Sequence, residues 1–527
     1  MTPDHIVVGA GSAGCAIATG LIEQHDATVL LLEAGPRDRD PRLRIPAAAA
    51  DLWFGRHDWA YDTEPQPGFG GRQDTWPRGK VLGGSSSINA MMYVRGMDVD
   101  YDEWVEQGAT GWDAATMTAA FRRIEDDERG PADHRGVGGP LRVEHQRDPS
   151  PLSEAFLDAC EELGLPRVED YHADPDGCGL TMVTQRDGRR WSAADAYLRP
   201  LLKAKDPRLL LRTDVEVVRV VVEDGRAIGV EALVDGRLRF AQAAESVIVA
   251  AGTVASPQLL MRSGIGPAAH LREHGIEVVV DLPGVGENLQ DHVLSGIAAG
   301  TDGDSLYGAD KDLGDLVRYL REHRGRLTSN LGEAIAFIRT HDDEPHPDIE
   351  LIAFPSAMTD HARTRFPEHG VTLGAILLRP ESRGRIRLAS PDPQVPPVIE
   401  PRTFEDPGGH DLRRVVDGLR WCQRLATEPD ALGDRITHLI DPPDVLTDEG
   451  ELIAHVRRTA QTLYHPVGTC RIGTDDLAVV DPQLRVHGVG SLRVADASVM
   501  PTLIRGHTNA PAIAIGDRLA RELLTAD

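Results

Sequence analysis

The sequence predicts an α/β protein, with a Rossmann-like domain completed by a discontinuous α+β domain on an antiparallel sheet. Three observations predict it. Asp4 to Glu33 reads as one β-α-β unit with three glycines in its first turn, and a buried apolar strand, Glu245 to Gly252, returns to the same sheet much later. From Thr301 to about Pro443 the composition shifts to Asp, Pro and short strands, with no nucleotide motif.

In the first unit, Gly9 permits a tight turn, Gly11 lets backbone approach a pyrophosphate, and Gly14 lets the helix pack close on the strand. Ser12 and Ala13 open that helix, whose unpaired N–H groups face the phosphates. Glu33 ends the second strand nineteen residues after Gly14, placed with Ala34 to meet the ribose hydroxyls. A carboxylate there argues against a 2′-phosphate, and so against NADP. The passage Arg37 to Arg78 is long, loop-rich and carries Trp53, Trp59, Tyr61 and Trp76, which suits either a cover over a bound cofactor or a loop pinned to the surface. Gly79 to Asn89 follows, where Gly83, Gly84 and Ser85 suit either an anion-binding turn that approaches a ligand or simply a turn before a helix near Ile88.

Asp102 to Asp127 and Pro151 to Leu163 read as helices, the second capped by Ser150. Leu209 to Val222, Ala227 to Val234 and Leu238 to Ala243 form a meander with turns at Asp224-Gly225 and Asp235-Gly236. After the strand Glu245 to Gly252, Ser256 and Pro257 start a helix as cap and first residue. A strand that returns to a nucleotide sheet after a meander is more characteristic of flavoproteins than of nicotinamide dehydrogenases. Leu282 to His292 is a turn-rich loop. Strands follow at Glu333 to Arg339, Ile349 to Phe354, Val371 to Leu378 and Arg385 to Leu388, with helices at Asp411 to Ala426 and 451–463.

The formal charge is −27, from 56 Lys and Arg against 83 Asp and Glu, with no basic block, so nucleic acid and anionic membranes are excluded as partners. No apolar run reaches the ~18 residues that would predict an integral membrane segment, and the first strand starts close to Met1; a cytoplasmic enzyme is the expectation. Five scattered cysteines, an odd number without a C-x-x-C spacing, predict reduced thiols and no zinc site. His341 to Asp348 reads as a solvated loop, and no metal site is predicted.

Chemistry concentrates near the C-terminus. Tyr464-His465-Pro466-Val-Gly-Thr469 holds a histidine in an irregular segment, and Ser491 to Asp496 is a short strand ending in an acid. Gly506-His507-Thr508-Asn509-Ala510-Pro511 then opens the last helix, whose N-terminus can face developing negative charge. Together with Gly79 to Asn89 and Gly252-Thr-Val-Ala-Ser-Pro-Gln-Leu-Leu-Met-Arg-Ser-Gly-Ile-Gly266, these segments resemble the glucose-methanol-choline (GMC) family of FAD-dependent oxidoreductases over nearly the full length.

The resemblance implies an FAD-binding domain from 1–150, 205–300 and 460–527, and a substrate-binding domain from 151–204 and 301–459. It implies cofactor contacts from Gly9, Gly11, Ser12, Ala13, Gly14, Glu33, Ala34, Gly83, Gly84, Ser85, Asn89, Ala90, Val217, Gly252, Asp496, Ala497, Ala510 and Pro511. Some members tether FAD through a histidine where this chain has Ile88; isoleucine offers no nucleophilic nitrogen, so non-covalent FAD is expected. The implied reaction is oxidation of a primary or secondary alcohol by hydride transfer to flavin N5, with His465 as base and Asn509, in preference to His507, as its partner at the substrate oxygen. Glu333, Tyr464 and His507 are expected in the substrate pocket, with Glu333 matching an acid that faces the ammonium of choline in some relatives. A general small-molecule alcohol is the leading substrate, choline giving betaine aldehyde the alternative, and a lyase on the same scaffold a third. Oxygen and a quinone-type acceptor both suit these residues.

Overall fold

The computed structural model describes residues 2–524. The strand His5–Val8 is buried on both faces, as the run Ile6-Val7-Val8 requires in the middle of a parallel sheet. It pairs in parallel with Val29–Leu32 on one side and Ser246–Val249 on the other. Leu209–Arg212 and Leu492–Val494 complete five strands drawn from distant parts of the chain. Behind the sheet, the helix Ser12–His25 packs on the C-terminal helix Asn509–Arg518. A Cβ at Gly516 would stand 2.5 Å from the Ala13 carbonyl oxygen, so only glycine allows this approach. Both chain ends therefore converge on one face of one sheet.

The second sheet is antiparallel, in the order Ile436–Asp441, Val293–Thr301, Gly370–Leu377, Ile349–Phe354, Ala334–Ile338, Cys178–Leu180. Its residues alternate between two cores. Leu351, Ala353 and Ala375 face the helices Pro151–Glu162 and His410–Thr427, whereas Ile352, Phe354 and Leu294 face the nucleotide-binding half. The helix His410–Thr427 lies close on the sheet at Gly418, where a Cβ would be 2.6 Å from that of Ala375.

Several boundaries differ from expectation, each for a local reason. Asp102 to Asp127 is not one helix: Asp98–Glu106 and Ala114–Ile124 are separated by Gly108 and Gly111, at φ +92° and +82°, and Asp113 caps the second by accepting the Thr116 N–H. The run Leu209 to Val222 splits near Asp214, at φ 59°, so that its first half joins the parallel sheet. Its second half, Glu216–Glu223, begins the three-stranded meander, and both meander turns have positive φ at Asp-Gly as expected. No helix begins near Ile88; Gly84–Ser87 is a single 3-10 turn. The helical reading of 451–463 ends at Thr459, because Gln461–Thr462 pairs with Val293–Leu294.

The expected domain limits also shift. Val293–Thr301 lies between two strands of the antiparallel sheet, so the segment 205–300 leaves the nucleotide half before Val293. Ala194, Tyr197 and Leu198 share a core with the Ser12–His25 helix, so the end of 151–204 belongs with that half.

The helix expected to start with Ser256 as cap and Pro257 as first residue starts five residues earlier and spans Gly252–Arg262, with Pro257 inside it. Proline has no N–H for the Thr253 carbonyl one turn back. The Thr469 hydroxyl supplies the missing bond, donating to that carbonyl at 2.7 Å, while the Thr253 hydroxyl donates to the Pro466 carbonyl at 2.7 Å. These bonds join the helix to the segment that carries His465. Thr469→Val should leave a buried carbonyl unpaired and cost about 1–3 kcal/mol, read as a lower midpoint in denaturant melts, with Thr469→Ser close to wild type. Equal midpoints for all three would show that the hydroxyl does not support the proline.

Candidate active site

One cavity of about 570 Å³ runs from Glu33, past both glycine loops, to His465 and His507. Both loops are shaped by contact. Gly9 has φ +98°, and a Cβ on Gly14 would fall 1.9 Å from the Gly9 carbonyl oxygen. A Cβ on Gly84 would fall 2.7 Å from Gly11 Cα, so the two loops touch backbone to backbone. Trp53, Trp59, Tyr61 and Arg78 also line it, so the 37–78 passage forms part of the cavity wall.

The cradle fits a dinucleotide on its own evidence. The helices Ser12–His25 and Asn509–Arg518 both lack a side-chain N-cap, so their first N–H groups are left for a partner in the cavity. Glu33 lines the cavity beside the first glycine loop, where it accepts the Ala10 and Gly35 N–H groups at 2.9 and 2.8 Å. Each oxygen keeps acceptor capacity for a ribose hydroxyl. Burial raises its carboxyl to about 7, against the pull of those two bonds.

His465 is held from several sides. Tyr464 before it adopts φ +69°, an uncommon conformation for an aromatic residue that turns the chain sharply. The His465 N–H donates to Asp291 at 2.8 Å, and Asp291 also accepts the Thr462 hydroxyl. Gln290 and Val467 exchange backbone bonds, so residues 290–292 act as a short strap alongside the histidine segment.

The tautomers follow from this packing. His292 Nε2 lies 3.1 Å from both the Leu378 and Ile504 carbonyl oxygens, which can only accept, so Nε2 carries the proton. Burial, then the nearby His507, lowers the His292 pKa to about 3, so its ring is neutral and Nδ1 is bare. The 2.9 Å contact between His292 Nδ1 and His465 Nδ1 then requires His465 to donate. His465 Nε2 is left with a free lone pair. Burial holds the His465 pKa well below its ordinary value, with His507, His292 and Arg78 acting in the same direction.

Asn509 and His507 both line the cavity, and they are held differently. Asn509 accepts the Ser12 hydroxyl at 2.7 Å and ties the last helix to the first glycine loop. His507 instead sits against His465, ring centroids 4.6 Å apart at 65°, with its Nε2 3.1 Å from Glu350. Glu333 does not line the cavity: Ser150 N–H, Ser153 and Ser329 occupy its oxygens in the second core. Asp496 lines the cavity, yet its carboxylate is engaged by Gly252 N–H, Ser256 and Ser498 N–H, which makes it a cap for the Gly252–Arg262 helix. Tyr464 does line the site, 5.0 Å from Trp53 and bonded to His361.

Gly9, Gly11, Ser12, Ala13, Ala34, Gly84, Ser85, Asn89, Ala90, Val217, Gly252 and Ala497 also line the cavity. Gly14, Gly83, Ala510 and Pro511 do not line it. Asp291, His292 and Glu350 are the residues that sequence reasoning did not assign. The polar triplet Gln290-Asp291-His292 immediately before an apolar strand was the available signal for the first two; nothing local marks Glu350.

Burial raises the Asp291 carboxyl from its ordinary 3.8 to about 7. Between those values the folded protein holds a proton that the unfolded chain has released, so this group's contribution to stability falls as pH rises through the window. Asp291→Asn should therefore lose less stability than wild type between about pH 5 and pH 7 in denaturant melts. Equal slopes would mean that Asp291 is already ionised when folded.

Comparison with known proteins agrees with this arrangement. GMC oxidoreductase family models match residues 3–294 and 380–516. An uncharacterised GMC-type oxidoreductase of Mycobacterium tuberculosis is 46% identical, covering 98% of both chains. Human mitochondrial choline dehydrogenase is 41% identical over 98% of this chain and 89% of its own. The crystal structure of pyridoxine 4-oxidase from Mesorbium loti superposes with a TM-score of 0.90 at 31% identity, covering 99% of each chain. With these matches spanning almost its whole length, the chain belongs to the GMC oxidoreductase family of FAD flavoproteins.

Proposed function

We propose that this protein oxidises a primary or secondary alcohol to an aldehyde or ketone, with non-covalently held FAD and His465 as the base. The observation that carries the reading is the His292–His465 bond, which leaves a neutral imidazole with a free Nε2 lone pair on a residue that lines the cavity. An alcohol carbon gives up hydride readily only as its hydroxyl loses a proton, and a positioned lone pair accepts that proton. FAD, when bound, supplies the hydride acceptor. His507, fixed by Glu350, is the second group at the substrate oxygen, in place of Asn509. Asn509 serves the cofactor cradle through Ser12. Ile88 is buried among Leu43, Leu52 and Val81 and offers no atom for a covalent flavin link.

Choline is a second reading, supported by the choline dehydrogenase among the relatives and by the corner that Trp53 and Tyr464 form beside His465. The carboxylate expected to face its ammonium, Glu333, is consumed by three serine residues in another core. A general alcohol is therefore favoured.

His465→Ala should retain FAD and lose ~10²–10⁴-fold in the rate of anaerobic flavin bleaching by alcohols. His507→Ala should lose about a hundredfold, whereas Asn509→Ala should mainly loosen FAD. An unimpaired His465→Ala, or a wild type that no alcohol bleaches, counts against the proposal. Acid precipitation should release all the FAD into the supernatant; yellow colour retained in the pellet would refute non-covalent binding.

A further inference from the structure

We propose that the helix Leu313–Glu322 is the centre of an interface with a second copy of this chain. A surface helix normally buries its apolar stripe against the core. Here the stripe faces outward: Leu313 is 77% exposed, Leu316 38%, Val317 46% and Leu320 61%. Their i, i+3, i+4, i+7 spacing places them on one face, the seam spacing of paired helices. The helix is anchored through a different side chain. Tyr319 is buried beside Ala309 and Leu327, and its hydroxyl donates to the Arg44 carbonyl at 3.0 Å. Four such side chains present on the order of 400 Å², a patch size that marks an interaction site.

The charges around the stripe select the occupant. Asp310 and Asp312 stand at the N-terminal end and Arg321 near the C-terminal end, and Asp310 and Arg321 make no ion pair with any described residue. An antiparallel, two-fold pairing brings each Arg321 to the partner's acidic end and opposes the helix dipoles, so the surface complements itself. Parallel pairing would set like charges together. A lipid surface fits less well, because Asp315 and Glu322 balance Arg318 and Arg321 and the whole chain carries −27. Two stripes alone fall short of the ~1,200 Å² of a stable interface, and Tyr307, 43% exposed just before the helix, adds apolar surface next to them. Tyr319 ties the helix to Arg44, and Ile45 and Ala47 pack on the same small cluster, in the passage that leads to Trp53 in the cavity wall. A second copy docked here would brace that part of the cavity wall.

Sedimentation equilibrium of the FAD-loaded protein at micromolar concentration tests this. Wild type should be dimeric, and Leu316→Glu/Leu320→Glu should be monomeric with its flavin spectrum intact, the dissociation constant rising a hundredfold or more. Leu313→Ser, a milder change at the most exposed position, should weaken the dimer without touching the fold. Arg321→Asp should weaken it and Asp310→Arg added to it should restore it, Asp312 being left in place because it caps the helix through the Gly314 N–H. A monomeric wild type, a dimer indifferent to these changes, or flotation with phosphatidylcholine vesicles in place of self-association would overturn the proposal.

Discussion

The structure depends on two helix N-termini, one from each end of the chain, left uncapped over a single cavity. Unpaired helix N–H groups are costly when buried and useful when an anion or a polar ring edge meets them. Bringing Ser12–His25 and Asn509–Arg518 to the same place requires their backbones to approach more closely than any side chain permits, which Gly516 against Ala13 and Gly20 against Ala520 achieve. Asn509 closes the arrangement by bonding Ser12 across 497 residues of chain. Once that geometry is set, the glycine loops, the 37–78 passage and the histidine segment have a common centre to surround.

The half of the cavity around His465 is organised by a second constraint, the need to fix imidazole tautomers by packing alone. Two backbone carbonyls decide which nitrogen of His292 is protonated, His292 decides His465, and the free Nε2 results. Backbone acceptors are well suited to this because they have only one role. The strap 290–292 is pinned by pairing to 463–467, and the proline-bearing helix Gly252–Arg262 is joined to the same segment through Thr253 and Thr469. A feature that would break a helix elsewhere has become a tie to the site.

Much of this was legible in the sequence, and the unread part has a consistent cause. The β-α-β unit, the meander with its Asp-Gly turns and the strand Ile349–Phe354 announced themselves because period and turn chemistry are local. Glu333 and Glu350 show the limit. Both are buried acids in adjacent antiparallel strands or at their ends, and nothing in their neighbours says that one will meet three serine residues in a second core and the other a histidine at the site. Asn509 and His507 are two residues apart at a helix start, where one position of rotation decides between the glycine loop and His465. Proline at 257 misled for the opposite reason: its usual place at the first helical turn was overridden by a hydroxyl from residue 469.

Burial of carboxyls ties these parts together energetically. Glu33 and Asp291 are both raised to about 7 because the protein removes them from water before their partners are complete. In Glu33 acceptor capacity remains beside the first glycine loop; in Asp291 the carboxylate spends its bonds on Thr462 and the His465 backbone, beside the buried Arg78. A folded state optimised for stability alone would expose such groups or pair them fully. Keeping them buried and part-satisfied sacrifices stability at neutral pH and fixes the cavity at two places, one at the first glycine loop and the other beside His465.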